Sequence, residues 1–278
     1  SLILLVNPHI NNFIAVLDGA LITNMRTGAQ TAVALKYLLG LKDGERRPIH
    51  LGIYGAGMQG HMQTRAISTL FDIEELRIYD VSRAALERFR EDMQSAIPGR
   101  IILCDDPKDA AQGDAVICVT QSKDGFLKEE WLSPETIVFP MGSYQECEDA
   151  VLLHADKIVV DHVEQTLHRG ALSKLAAEGK ITRESITCTI GELVAGRAEL
   201  HREPGQRIVC LPIGTGAMDI GCASVVYQRA LEQKRGQFFD FGVSRAPEGS
   251  YSKRAEPFLN REGLAALRSF WRTPKYTP

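Results

Sequence analysis

The feature that most constrains this chain is a short glycine pattern, Gly55-Ala56-Gly57-Met58-Gln59-Gly60. It sits directly after the apolar run Ile49–Tyr54 and opens a stretch that reads as a helix, Gly57–Leu70. Glycines at this spacing are common in turns, but a position between a strand and a helix is far more restrictive. There Gly55 permits a tight turn, Gly57 lets the backbone approach a pyrophosphate, and Gly60 lets the helix lie close to the strand. The helix N-terminus then offers free N–H groups and a positive dipole end to an anion. Asp80 closes the following strand, Arg77-Ile78-Tyr79-Asp80, 20 residues after Gly60. An acid at that offset accepts hydrogen bonds from a ribose 2′-hydroxyl and repels a 2′-phosphate. The pattern predicts a dinucleotide site that takes NAD, with NADP as the alternative because Arg83 stands close by.

From Ile49 onward, apolar strands alternate with helices. The strands fall near Ile49–Tyr54, Glu75–Tyr79, Ile101–Leu103, Ala115–Thr120, Thr136–Phe139 and Lys157–Val160, with helices at Gly57–Leu70, Arg83–Ser95 and Pro107–Gln112. The strands are continuous apolar runs, which marks a parallel sheet covered on both faces. The expected fold class is therefore α/β, a doubly wound parallel sheet. Ahead of it lie a hairpin (Leu2–Val6 and Phe13–Leu17), a helix at Thr27–Leu39, and a polar linker from Lys42 to Pro48. After Asp161 the pattern predicts helices at Val163–Gly179 and Thr189–Ala198. A strand at Arg207–Leu211 then leads through Gly214-Thr215-Gly216 into a helix at Ala217–Gln233. The tail from Gly236 reads as an extended arm with one helix at Arg261–Phe270.

Several function classes are excluded. The 278 residues suit about two domains or one large one. A net charge of −3 argues against a nucleic-acid binder, and Trp131 and Trp271 lack the basic neighbours of a base-stacking platform. No apolar run approaches the roughly 20 residues of a membrane helix, and the first residues lack a signal peptide's basic flank and cleavage site. The six cysteines form no C-x-x-C pair, so they read as buried small hydrophobes in a reducing cytoplasm. His162 and His168 do not have the i, i+4 spacing of a metal pair, and no metal is expected. Asp161 reads as the cap of the next helix, and His61 is either a surface residue or one that faces a phosphate. No GxxxxGK[ST] loop is present, and no GxSxG elbow surrounds Ser143.

The segment Asp18-Gly19-Ala20-Leu21-Ile22-Thr23-Asn24-Met25-Arg26-Thr27-Gly28-Ala29 is the second unusual stretch. With the helix starting near Thr27, Arg26 would stand at a helix N-terminus, which disfavours a cation unless an anion offsets it. A substrate carboxylate or a cofactor phosphate would do so, and Arg can hold either in a bidentate fork. The other reading is a surface Arg paired with Asp18.

The combination of Asp18-Gly-x-x-x-Thr23-x-x-Arg26-Thr27-Gly28-Ala29 with the later GAGxQ loop resembles the ornithine cyclodeaminase/mu-crystallin family. Further matches are Cys118-Val119-Thr120, Val159-Val160-Asp161 followed by His168-Arg169-Gly170, Gly191-Glu192-Leu193-Val194-Ala195-Gly196, and Ile213-Gly214-x-x-x-x-Asp219. The resemblance spans about Leu2 to Ala230. It implies a homodimer with a Rossmann domain and a smaller α+β catalytic and dimerisation domain built from both chain ends. On this sequence the parts would be 1–45 for the catalytic and dimerisation domain, with its N-terminal portion missing. Residues 46–206 would form the NAD-binding domain, 207–236 the return to the first domain, and 237–278 a C-terminal arm.

The resemblance also implies hydride chemistry at the C–N bond of an amino or imino acid. The type reaction converts ornithine to proline and ammonia by internal hydride transfer through NAD. Relatives include imine and ketimine reductases, alanine- and opine-type dehydrogenases, and a non-catalytic binding crystallin. Position by position, Arg26 would reach the substrate carboxylate and Thr27 the phosphate side. Met58 and Gln59 would lie on the pyrophosphate, Asp80 on the ribose, Thr120 beside the nicotinamide and Ile213 near the substrate. The family's substrate-binding Arg and Lys belong to the missing N-terminal portion. The loop Gly142-Ser143-Tyr144-Gln145-Glu146-Cys147-Glu148-Asp149 is shorter than in the cyclodeaminases, and Tyr144 stands nearest their catalytic Asp, unless Glu146 or another loop acid substitutes for it. A phenol, with an ordinary pKa of about 10, donates a proton but is a poor base at neutral pH, which favours imine reduction.

Overall fold

The computed structural model describes residues 1–9 and 12–238. The chain divides into two compact units, Ser1–Glu232 and Gln233–Pro278, and every helix and strand named here belongs to the first. The helix expected at Arg261–Phe270 lies outside the described residues.

The chain opens in an antiparallel hairpin, β1 (Leu2–Asn7) and β2 (Asn12–Asp18), followed by α1 (Gly19–Leu38). Eight strands then form a single parallel sheet: β3 (Pro48–Tyr54), β4 (Asp72–Tyr79), β5 (Arg100–Leu103), β6 (Ala115–Cys118), β7 (Ile137–Pro140), β8 (Lys157–Val160), β9 (Cys188–Thr189) and β10 (Ile208–Leu211). Their spatial order is β5-β4-β3-β6-β7-β10-β8-β9. The helices between and after them are α2 (Met58–Ser68), α3 (Arg83–Met93), α4 (Asp149–Leu153), α5 (Val163–His168), α6 (Ser173–Ala177), α7 (Ile190–Val194) and α8 (Gly216–Glu232).

Alternate residues of each strand enter opposite cores. On one face Ile49, Leu51, Ile53, Ile117, Phe139 and Ile208 pack with α1, α2 and α3. On the other, Tyr54, Val116, Cys118, Val138 and Val209 pack with Leu152, Leu172 and Leu175. Burial on both sides is why these strands read as unbroken apolar runs. A third cluster joins Ile3, Leu5 and Ile22 to Ala223 of α8, so the hairpin, α1 and α8 share a core.

Four boundaries differ from the sequence reading. Helix α1 begins at Gly19, because the Asp18 carboxylate caps it through the Ala20 N–H at 2.9 Å. Packing of Ile22 on the hairpin overrides the weak helix propensity of Gly19, Thr23 and Asn24. Pro107–Ala111 is a 3₁₀ turn. The expected helix Val163–Gly179 is broken into α5 and α6, because Arg169 is extended and Gly170 has φ +79°. Finally, β10 pairs between β7 and β8, so the parallel sheet extends past residue 206.

Candidate active site

Connections at the C-terminal ends of a doubly wound sheet form its binding crevice, centred where the strand order reverses. Here that point lies between β3 and β6. Gly55 follows β3 with φ +106°, and a side chain there would press on the Val119 carbonyl at 2.7 Å. A Cβ on Gly60 would collide with the Gly55 carbonyl. Gly57 is different: it caps α2 with no side-chain hydrogen bond, and a Cβ there would meet nothing within 4 Å. Two glycines thus bring α2 against β3, and the third keeps its N-terminus open. Met58, the first residue of α2, is 57% exposed beside this opening. This is the geometry a pyrophosphate requires.

Asp80 holds the loop's other side. Its Oδ2 accepts from the Ala56 N–H and its Oδ1 from the Ser82 N–H, both at 2.8 Å. Arg83 turns away from the loop to Glu87 and Asp105. His61 is also committed, with Nδ1 on the Gly57 carbonyl at 2.8 Å and Nε2 near Asp92 at 3.2 Å. Gln59 donates to Asn24 of α1 at 2.7 Å, and the Thr27 hydroxyl donates to the Thr23 carbonyl at 2.8 Å.

Arg26 lies well inside α1, not at its start, so the helix-dipole argument for an anionic partner does not hold at this position. Its Nε donates to Asp219 of α8 at 2.8 Å, and their side chains are only 11% and 19% exposed. Asp18 is not its partner. The guanidinium lies against Gly214, where a Cβ would strike it. Gln30, one turn along α1, donates to Asp161 Oδ2 at 2.9 Å, and the same oxygen accepts from the Gly214 N–H at 2.6 Å. Asp161 is therefore a strut between α1 and the loop after β10. The next helix is capped by His162 instead. Asp161 Oδ1 and Gln63 Oε1 are buried acceptors without a hydrogen-bond partner. Ile213 precedes Gly214, and its carbonyl accepts from Arg169 at 2.9 Å.

The loops after β6 and β7 complete the edge. Glu146 is fully buried. Its Oε1 accepts from both the N–H and the hydroxyl of Thr120 at 2.6 Å, and its Oε2 accepts from the Gly142 N–H at 2.6 Å. Burial pushes its pKa up, against the pull of these bonds. Tyr144 is 51% exposed and lines a cleft of about 490 Å³ with Lys123, Asp149, Gly170 and Lys174.

The structure thus gathers the glycine loop, Asp80, Thr120, Arg26 and Ile213 along one edge of the sheet. The sequence reading gives no role to Gln30 or Asp219 and reads Asp161 only as a helix cap, although Asp161 and Asp219 stand in the motifs that carry the family resemblance. It names Glu146 only as a substitute for a missing loop acid; nothing local in the sequence signals that it would be buried. Among the described residues, no group of three or more His, Cys, Asp or Glu could hold a metal ion, and no helix is long and apolar enough to cross a membrane.

The model of the ornithine cyclodeaminase/mu-crystallin family matches residues 1–234. The chain is 29% identical over 245 residues to an alanine dehydrogenase of Archaeoglobus fulgidus, covering 87% of this chain and 74% of that one. Among solved structures, it is similar to the Thermococcus litoralis Delta(1)-pyrroline-2-carboxylate reductase in complex with NADH and L-proline. That match has a TM-score of 0.76 and 27% identity, covering 85% of this chain and 73% of the other. It is also similar to an archaeal alanine dehydrogenase dimer with bound NAD, with a TM-score of 0.75 and 30% identity over 87% and 74% of the two chains.

Proposed function

Because the chain belongs to the ornithine cyclodeaminase/mu-crystallin family, we propose that it is an NAD-dependent oxidoreductase acting at the C–N bond of an amino or imino acid. One observation carries this reading. An open helix N-terminus flanked by Asp80 and an arginine fork oriented by Asp219 lie along the same edge of one sheet.

The residues fit a dinucleotide: a Cβ on Gly57 would meet nothing within 4 Å, which leaves the helix N-terminus open to a phosphate. On this reading Gly55, Gly57 and Gly60, with the backbone of Met58 and Gln59, cradle the pyrophosphate, and Thr27 borders it. The Asp80 oxygens keep lone pairs for the ribose hydroxyls. Arg83 would have to leave both its carboxylate partners to meet a 2′-phosphate, which favours NAD over NADP. Thr120 flanks the nicotinamide side. When bound, the nicotinamide supplies or accepts the hydride.

On this reading the Nη groups of Arg26 meet the substrate carboxylate while Asp219 holds Nε and Gln30 Oε1 lies 3.5 Å from Nη1. The backbone at Ile213 borders the same substrate. Reducing a C=N bond needs a proton at nitrogen as well as a hydride at carbon, and Tyr144 supplies that proton as a phenol. This favours net imine reduction and its reverse over the ornithine-to-proline type reaction. A homodimer fits the exposed apolar face of the hairpin, where Leu2, Leu4, Val6 and Val16 are all at least 45% exposed. The free, mostly buried cysteines fit a cytoplasmic setting.

Titration of the protein with NADH, followed by nicotinamide fluorescence, tests the cofactor half of this reading. Saturable binding displaced by NAD is expected. Absence of binding to either dinucleotide would overturn it. Binding without turnover on any amino or imino acid would leave a cofactor-binding protein and overturn the enzymatic half.

A further inference from the structure

Glu146 is a buried carboxylate that the hydride and proton steps do not use. It ties together the ends of two adjacent parallel strands, reaching Thr120 beyond β6 and Gly142 beyond β7. A Cβ on Gly142 would stand 2.6 Å from its carboxyl carbon, so the loop is shaped around it. Both carboxylate oxygens accept backbone N–H bonds, which favour the anion against the burial that raises its pKa. Among the described residues no cation pairs with it. Burial raises the thiols of the nearby Cys118 and Cys147, the latter to about 12, so they stay neutral and do not alter the local charge balance.

Its position gives this charge a target. The reversal point lies between β3 and β6, and Asp80 marks the ribose side of it at the end of β4. The other half of a dinucleotide therefore lies over the ends of β6 and β7, the ends that Glu146 joins. A nicotinamide ring is positively charged when oxidised and neutral when reduced. We propose that the Glu146 carboxylate sets the redox preference of the bound nicotinamide, stabilising the oxidised ring over the reduced one and making bound NADH a stronger hydride donor. The proposal rests on the NAD-dependent reading above.

A single charge acting through the screened interior is expected to change the relative affinities by about tenfold. The test is the ratio Kd(NAD⁺)/Kd(NADH), measured by NADH fluorescence and competition, in wild type, Glu146→Gln and Glu146→Asp. Glu146→Gln should raise the ratio about tenfold. Glu146→Asp keeps the charge and should leave the ratio unchanged, even where both affinities fall together. Equal weakening of both affinities in Glu146→Gln would show a purely structural latch and overturn the proposal. Should Glu146→Gln not fold, wild type decides: NAD⁺ bound at least as tightly as NADH supports the proposal, and NADH bound about tenfold tighter overturns it. Failure of wild type to bind either dinucleotide would overturn the function itself and this inference with it.

Discussion

The Arg26 guanidinium and the Asp219 carboxylate stand 193 residues apart in the sequence and 2.8 Å apart in the fold. The contact joins a helix from the start of the chain to the helix that follows the last strand. It holds Arg26 by Nε, while Nη1 lies 3.5 Å from Gln30 Oε1; on the proposed reading the Nη end meets the substrate carboxylate. Asp219→Asn should lower kcat/KM by about tenfold, roughly 1.4 kcal/mol, mostly through KM, with NADH affinity unchanged. Arg26→Lys should cost more, because an ammonium cannot reproduce a bidentate fork. Steady-state kinetics beside NADH titration separate the two effects. Full turnover in Arg26→Ala would remove Arg26 from the site.

Adding a methyl group to Gly57 and to Gly60 should give opposite readouts. Gly57→Ala meets no atom within 4 Å, so the melting temperature should hold while dinucleotide affinity falls about tenfold or more. Gly60→Ala drives a methyl into the Gly55 carbonyl and should lower the melting temperature by several degrees. Thermal unfolding and NADH titration on the same two proteins check the pair.

Tyr144→Phe removes only a hydroxyl from an exposed side chain. If that hydroxyl supplies the proton, kcat should fall by about 10²-fold with NADH affinity intact. An unchanged kcat would return the role to another loop residue.

A carboxylate far from the site gives a pH test of the fold. Glu75 is 8% exposed; burial raises its pKa, but Arg100 and Arg77 outweigh this and hold it below the usual 4.5. A depressed folded pKa contributes stability that is present above the unfolded value and is lost as pH falls through the folded one. Glu75→Gln should therefore lower the melting temperature at pH 7 by about 2–4 °C, for roughly 1 kcal/mol. The gap should close as pH drops below 4.5. A gap that stays constant with pH would show that the pair contributes through packing alone.

The parallel sheet and the glycine loop were legible because their signals are local: a strand, three glycines and an acid at fixed offsets. The start of α1 was not, since Ile22 finds its hydrophobic partners on β1 and α8, which no window around Thr27 contains. That misplacement removes the helix-dipole argument for Arg26, whose place in the site now rests on its contact with Asp219 and stays a proposal. Strand β10 was recognised as a strand, but its place between β7 and β8 depends on chain crossover and not on its own residues. Asp161 looked like a helix cap because it precedes one. Its actual donors, Gln30 and Gly214, come from 131 and 53 residues away.

The most direct test of the central claim is nicotinamide absorbance with the full chain, NADH, and a panel of cyclic imines and of 2-oxo acids with ammonia. The account predicts NADH oxidation matched one for one by formation of the corresponding amino acid. Saturable NADH binding with no absorbance change on any member of the panel would contradict it.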